Sequence, residues 1–144
     1  MRVARAALAV LAAGLALVGC GGESVPVDGI AGPSTWTALY TDYFASGAAG
    51  SCAAGDCHGA ADQSGVTVSK FVCADQAGCY ASMTGDSHLV IESIDKANPG
   101  KSRLLTALRQ ATNKGRMPSS STFVFRAVDV TRIETWISDG AKND

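Results

Sequence analysis

Hydrophobic and polar positions along this 144-residue chain gather into a few helix-like stretches separated by long segments of small residues. The clearest stretch begins after Pro33, where Trp36, Leu39, Tyr40, Tyr43 and Phe44 stand at i, i+3, i+4, i+7 and i+8. That spacing puts side chains on one face of an α-helix. Ser34 is a suitable N-cap for it and Gly47 a suitable stop. A second face, Leu104, Leu105, Leu108 and Ala111, follows the turn Asn98-Pro99-Gly100, with Ser102 as its cap. The segment from Ala127 to Asp139 carries a third, Val130, Ile133, Trp136 and Ile137, and Gly140 stands where the C′ residue of a helix belongs. Between these, the insert Ala-Asp-Gln-Ala-Gly that Cys73 and Cys79 flank reads as a turn, and Tyr80, Ala81 and Met83 begin a short helix after it. Val66-Thr67-Val68, inside a polar connection from Asp62 to Lys70, reads as a short extended piece. Strand-type alternation is otherwise nearly absent, so the expected fold class is all-α, with several short helices and long loops.

The first residues follow a different logic. Arg2 and Arg5 precede an unbroken run of apolar and small residues from Ala6 to Val18, the charged and greasy regions of an export signal. The run is too short to make a convincing membrane-spanning helix. It ends in Leu17-Val18-Gly19-Cys20, which resembles the lipobox of bacterial lipoproteins. The resemblance implies cleavage before Cys20 and lipidation of that cysteine, whose acyl chains contribute about 0.8 kcal/mol per buried methylene and hold a domain at a membrane surface. From Gly21 to Pro33 the residues are Gly, Ser, Pro and small apolar ones without periodicity, which suits a flexible tether. The expected organisation is a signal peptide at 1–19, a lipidated cysteine and tether at 20–33, and one domain at 34–144, facing the periplasm from a membrane of the bacterial cell envelope.

Net charge is −1 and the pI is about 6.1, so no basic field draws nucleic acid, which is excluded as a partner class. Apart from Cys20, four cysteines remain. In an exported chain such thiols are oxidised or capped, and four permit three pairings. Cys73 with Cys79 is favoured over pairings that involve Cys52 or Cys57; a bridge closing so small a loop contributes roughly 2 kcal/mol in the chain-entropy model.

The stretch with the most chemistry is Cys52-Ala-Ala-Gly-Asp-Cys57-His58-Gly59. Two thiols followed at once by an imidazole can bond both vinyl groups of a haem and give its iron an axial nitrogen, as in C-x-x-C-H. Here four residues separate the cysteines, and Gly55 gives the longer insert backbone freedom.

The aromatic first helix, Cys52 to His58, the Asn98-Pro99-Gly100 turn with Ser102 and Leu104-Leu105 behind it, Met117-Pro118, and the ending Trp136-Ile137-Ser138-Asp139-Gly140-Ala141 together resemble a class I cytochrome c domain of the planctomycete type. The resemblance runs from about Ser34 to the C-terminus. It implies crossing first and last helices and one covalent haem c per chain. Cys52 and Cys57 would form the thioethers, with His58 the proximal iron ligand and Met117 the distal one. A thioether is a soft neutral ligand whose pairing with histidine raises the reduction potential, and Pro118 would stiffen the loop that presents it. The rivals for that position are His88 and Met83. Arg103, Arg109, Lys114 and Arg116 would serve as a docking rim, a propionate contact or a solvated face. The function expected is single-electron transfer with a redox protein partner, with no enzymatic activity. The alternatives are a haem-free, disulfide-stabilised envelope lipoprotein acting as an interaction domain, and a haem protein with a displaceable sixth ligand.

Overall fold

Thr35, not Ser34, caps the first helix: its hydroxyl accepts the Ala38 N–H at 3.4 Å while its backbone stays extended. The computed structural model describes residues 29–85, 94–110, 116–119 and 123–144, and among them all regular structure is helical. Helix α1 runs as an α-helix over Trp36–Leu39 and continues as a π-helix over Tyr40–Phe44. It ends at Ala45, whose backbone turns extended, and so stops before Gly47, which takes φ 83° in the turn beyond. The wider π turn leaves Trp36, Leu39, Tyr43 and Phe44 all fully buried.

Two segments differ from what their sequence suggests. Val66-Thr67-Val68 is not extended; it lies inside helix α2, Ser64–Ser69, which ends on Lys70 in the left-handed region at φ 59°. Within this short β-branched run the hydroxyls bond back one turn: Thr67 Oγ1 donates to the Gln63 carbonyl at 3.1 Å and Ser69 Oγ to that of Gly65 at 2.6 Å. Val66 is buried and Val68 is 80% exposed, as one helical face requires. Likewise the insert between Cys73 and Cys79 is not a turn before a helix but the helix's first turn. Helix α3 spans Gln76–Thr84, and Asp75 caps it by accepting the Gly78 N–H at 2.7 Å.

Pro99–Lys101 forms a 3₁₀ turn that leads into helix α4, Arg103–Arg109, where Ser102 Oγ accepts the Leu105 N–H at 3.3 Å. Leu105 and Leu108 point inward, and Ala111 lies outside the described residues. Helix α5, Ala127–Ser138, ends in a Schellman motif. Gly140, at φ 99°, donates to the Ile137 carbonyl at 3.1 Å, and Ala141 donates to that of Trp136 at 2.9 Å.

Aromatic rings form the centre. Trp36 stacks on Trp136 with centroids 5.3 Å apart, and Phe44 and Tyr80 each lie 5.6 Å from the Trp36 ring. Such pairs contribute ~0.5–1.5 kcal/mol each beyond their buried area. Residue 144 closes the same end of the molecule, for its carbonyl accepts the Thr37 N–H and its Oδ1 the Trp36 N–H, both at 2.9 Å. Two orphan donors of the α1 N-terminus are thereby satisfied by acceptors 107 or 108 positions away.

At the other end of α5, two buried charges hold the segment that enters the domain. Asp129, fully buried, accepts the Ile30 N–H at 2.7 Å, the Tyr43 hydroxyl at 2.8 Å and the Arg126 N–H at 2.8 Å. Arg132, 6% exposed, donates to the carbonyls of Ile30 and Pro33 and pairs with Asp42 at 2.8 Å. Nothing in the hydrophobic pattern announces this pair. Gly29 is held against it in a left-handed conformation where a Cβ would lie 2.3 Å from Val128.

Candidate functional site

The end of α1 delivers the chain directly to the cysteine segment, where Ala53 N–H donates to the Phe44 carbonyl at 2.8 Å. In an α-helical turn the N–H of residue i+4 closes on the carbonyl of residue i. A C-x-x-C-H sequence in such a turn therefore bonds its histidine N–H to the carbonyl of its first cysteine. In this chain His58 N–H donates to the Cys52 carbonyl at 3.2 Å even though six positions separate them. The surplus is carried outward. Gly55 and Asp56 are exposed, and a Cβ built on Gly55 would meet nothing within 4 Å. Inside the turn, the Ala54 carbonyl accepts both Cys57 N–H at 3.0 Å and Gly59 N–H at 3.1 Å.

Cys52 and Cys57 are both thiols, not joined to each other. Burial pushes the Cys52 thiol up to about 12, and the neighbouring Cys57 adds to the shift. At neutral pH Cys52 is thus the neutral thiol. Cys57 Sγ lies 3.5 Å from Asp56 Oδ1.

His58 is 9% exposed, and contacts on several sides fix it. Its Nδ1 lies 2.9 Å from the Phe71 carbonyl oxygen. A carbonyl only accepts, so Nδ1 carries the proton. Burial lowers the imidazole's pKa, which favours the neutral ring and leaves Nε2 with its lone pair. The His58 carbonyl in turn accepts the Cys73 N–H at 2.7 Å. The Phe71 ring sits 5.0 Å from the imidazole, and the Ser69 hydroxyl is 3.5 Å from Nδ1. Helix α2 lies against this residue at Gly65, where a Cβ would come within 2.6 Å of the Cys57 carbonyl and 3.3 Å of His58 Cε1.

Cys73 and Cys79 are joined by a disulfide with Cα atoms 3.9 Å apart. Met117 is 37% exposed; its N–H donates to the Ala107 carbonyl at 3.1 Å, which ties its segment to α4 and not to the cysteine turn. Met83 is fully buried on α3 and borders a cleft of about 690 Å³ with Ile94, Lys101 and Arg103, a cleft that Cys52, Cys57 and His58 do not line. His88, Lys114 and Cys20, the expected lipidation site, lie outside the described residues. Of the rim cations, Arg109 is committed to Glu134 and to the Gly100 carbonyl, both at 2.8 Å.

Sequence reasoning singled out Cys52, Cys57 and His58, and the structure joins His58 to Cys52 through a backbone hydrogen bond. It missed the Phe71 carbonyl, a backbone group that no residue type signals, and it missed Gly65, whose only sign was a glycine at the start of an unrecognised helix. Among the described residues, no group of three or more His, Cys, Asp or Glu side chains is placed to chelate a metal ion unaided. A porphyrin iron asks less of this segment, because the macrocycle brings four nitrogens and the protein adds one imidazole. A neutral imidazole with its Nδ1–H bonded to a carbonyl and its Nε2 available is the donor such an iron takes. Comparison of the chain with family models, with curated proteins and with solved structures returned no match. No helix among the described residues is long and apolar enough to cross a membrane.

Proposed function

We propose that this chain is a lipid-anchored monohaem c-type cytochrome of the bacterial cell envelope, passing single electrons to a redox protein partner. One observation carries the reading: His58 is bonded through its N–H to the Cys52 carbonyl and through Nδ1 to the Phe71 carbonyl, immediately behind two thiols. Cys52 and Cys57 would hold haem c through two thioethers, His58 would ligate through Nε2, and Met117 would take the distal side. When bound, the haem supplies a one-electron Fe(III)/Fe(II) couple. The chain's own part is orientation and exclusion. The Phe71 carbonyl sets the tautomer and plane of the imidazole, α2 closes over its edge at Gly65, and the outward loop at Gly55 and Asp56 lets both sulfurs stay near it. If His58 and Met117 both held the iron it would have no open site for a substrate, which is why the reading is a carrier and not an enzyme. The all-helical fold and the packing of Trp36 on Trp136 are consistent with a domain whose first and last helices cross.

Cys52 and Cys57 remain thiols beside an intact Cys73–Cys79 disulfide, which supports haem attachment over a haem-free scaffold held by two disulfides. The test is expression of the full chain together with haem-attachment machinery, followed by intact mass and haem staining on a denaturing gel. The expected product is a chain starting at Cys20, lipidated, with one haem that survives denaturation. A colourless, fully folded product would refute the reading.

A further inference from the structure

The disulfide, the proximal imidazole and helix α3 are mechanically one unit. The segment Phe71 to Cys73 touches His58 twice: the Phe71 carbonyl holds Nδ1 at 2.9 Å and the Cys73 N–H holds the His58 carbonyl at 2.7 Å. That three-residue segment has no helix of its own. Its position is set from α3, through the Cys73–Cys79 disulfide and through Val72 N–H, which donates to Ser82 Oγ at 2.9 Å. A third tie is local, from Phe71 N–H to Ser69 Oγ at 3.1 Å.

We propose that the Cys73–Cys79 disulfide, with Ser82, is a positioning device for the His58 imidazole, holding the Phe71 carbonyl where it accepts the Nδ1 proton. The claim rests on the cytochrome reading and assigns these residues a task beyond stability. A hydrogen bond from Nδ1–H to a carbonyl raises the basicity of the coordinating nitrogen, which favours the oxidised iron. Loosening the carbonyl removes part of that support, so the reduction potential rises.

The experiment compares the full-length wild type, the double variant Cys73→Ala/Cys79→Ala, the single variant Ser82→Ala and a destabilised control, Arg132→Met, which touches neither His58 nor the segment 71–73. Two quantities are read: the midpoint potential of the haem protein, and the exchange rate of the His58 Nδ1 proton by NMR. The expected result for the double variant is a roughly tenfold fall in the ratio of oxidised to reduced protein at fixed potential, ~59 mV upward for one electron, with faster Nδ1 proton exchange. Ser82→Ala shifts both in the same direction by less, and keeps the claim testable if the double variant does not fold. Arg132→Met lowers stability and moves neither. If both positioning variants melt earlier but keep the wild-type potential and exchange rate, the disulfide is a staple only and the proposal is overturned. A wild type without haem removes the cytochrome reading. The positioning claim is then decided on that same protein by Nδ1 proton exchange, where faster exchange in the variants upholds it and unchanged exchange overturns it.

Discussion

Replacing Arg132 by methionine tests the buried charges at the entry to the domain. The substitution keeps an unbranched apolar stem and removes a guanidinium that makes five polar contacts, two of them to the Pro33 carbonyl and one each to Ile30, Tyr43 and Asp42. Breaking a buried ion pair on one side costs ~3–5 kcal/mol when the remaining charge is sealed from water. Here it is not sealed. Asp42 is 29% exposed and Pro33 lies at the surface, so water replaces part of what Arg132 supplied. The Ile30 carbonyl loses its charged donor and keeps only the Tyr43 hydroxyl at 3.2 Å, and a lost partner costs ~1–3 kcal/mol. The expected loss is therefore about 2–3 kcal/mol, below the full buried-pair figure. Asp129→Ala should cost more, about 3–4 kcal/mol, because it strands the Ile30 N–H and the Arg126 N–H around a fully buried position and leaves the Tyr43 hydroxyl only the longer bond to the Ile30 carbonyl at 3.2 Å. Urea unfolding of the two variants at constant slope measures both values, and hydrogen exchange at Ile30 N–H should quicken in each. Equal stabilities for the two variants, or a loss under about 0.5 kcal/mol for Arg132→Met, would refute the reasoning, since exposed substitutions already fall within that range.

Gly65→Ala should destabilise by about 1–3 kcal/mol despite alanine's better helix propensity, because the new methyl meets the Cys57 carbonyl at 2.6 Å, a backbone atom that cannot turn aside. It should also lower the yield of attached haem, measured by staining per mass of folded protein. Met117→Ala should open the sixth position, so that the reduced protein binds carbon monoxide and its Soret band shifts. An unchanged spectrum under carbon monoxide would assign that position to Met83 or His88 instead. Tyr43 carries a pKa raised first by burial and then by its hydrogen bond to Asp129. Above the ordinary tyrosine value near 10 the unfolded chain loses that proton while the folded one keeps it, so stability falls as pH rises through that range. Tyr43→Phe should flatten this alkaline slope in denaturant titrations from pH 9 to 11; an unchanged slope would contradict the buried phenol.

The parts of the fold legible in the sequence were those written in side-chain periodicity. The inward faces of α1, α4 and α5, the Ser102 cap and the Gly140 stop all rest on residue types whose local preference agrees with their place. The failures have separate causes. In α2, tertiary placement, with Val66 buried and Val68 in solvent, overrides the strand preference of Val66-Thr67-Val68. In α3, the capping carboxylate of Asp75 starts a helix across what looked like a disulfide loop. At the site, the two thiols and the imidazole could be read from residue type, but the group that orients the imidazole is the carbonyl of Phe71, and any residue could supply it. The Asp129 and Arg132 pair was hidden for another reason: charged residues on an amphipathic helix are normally solvent-facing, and only the returning segment 29–33 turns these two inward.

The stacking of Trp36 on Trp136 also sets an order of events for the nascent chain. Its two halves are 100 positions apart, and the bonds from Asp144 to Trp36 and Thr37 span as much. Closing a loop of that length costs entropy before any contact repays it, and contacts so distant along the chain form late. A fragment that stops short of α5 has Tyr40, Phe44 and Tyr80 to set against Trp36 but lacks the Trp136 ring that stacks on it. A chain read from its N-terminus thus completes its aromatic centre only when the last helix arrives.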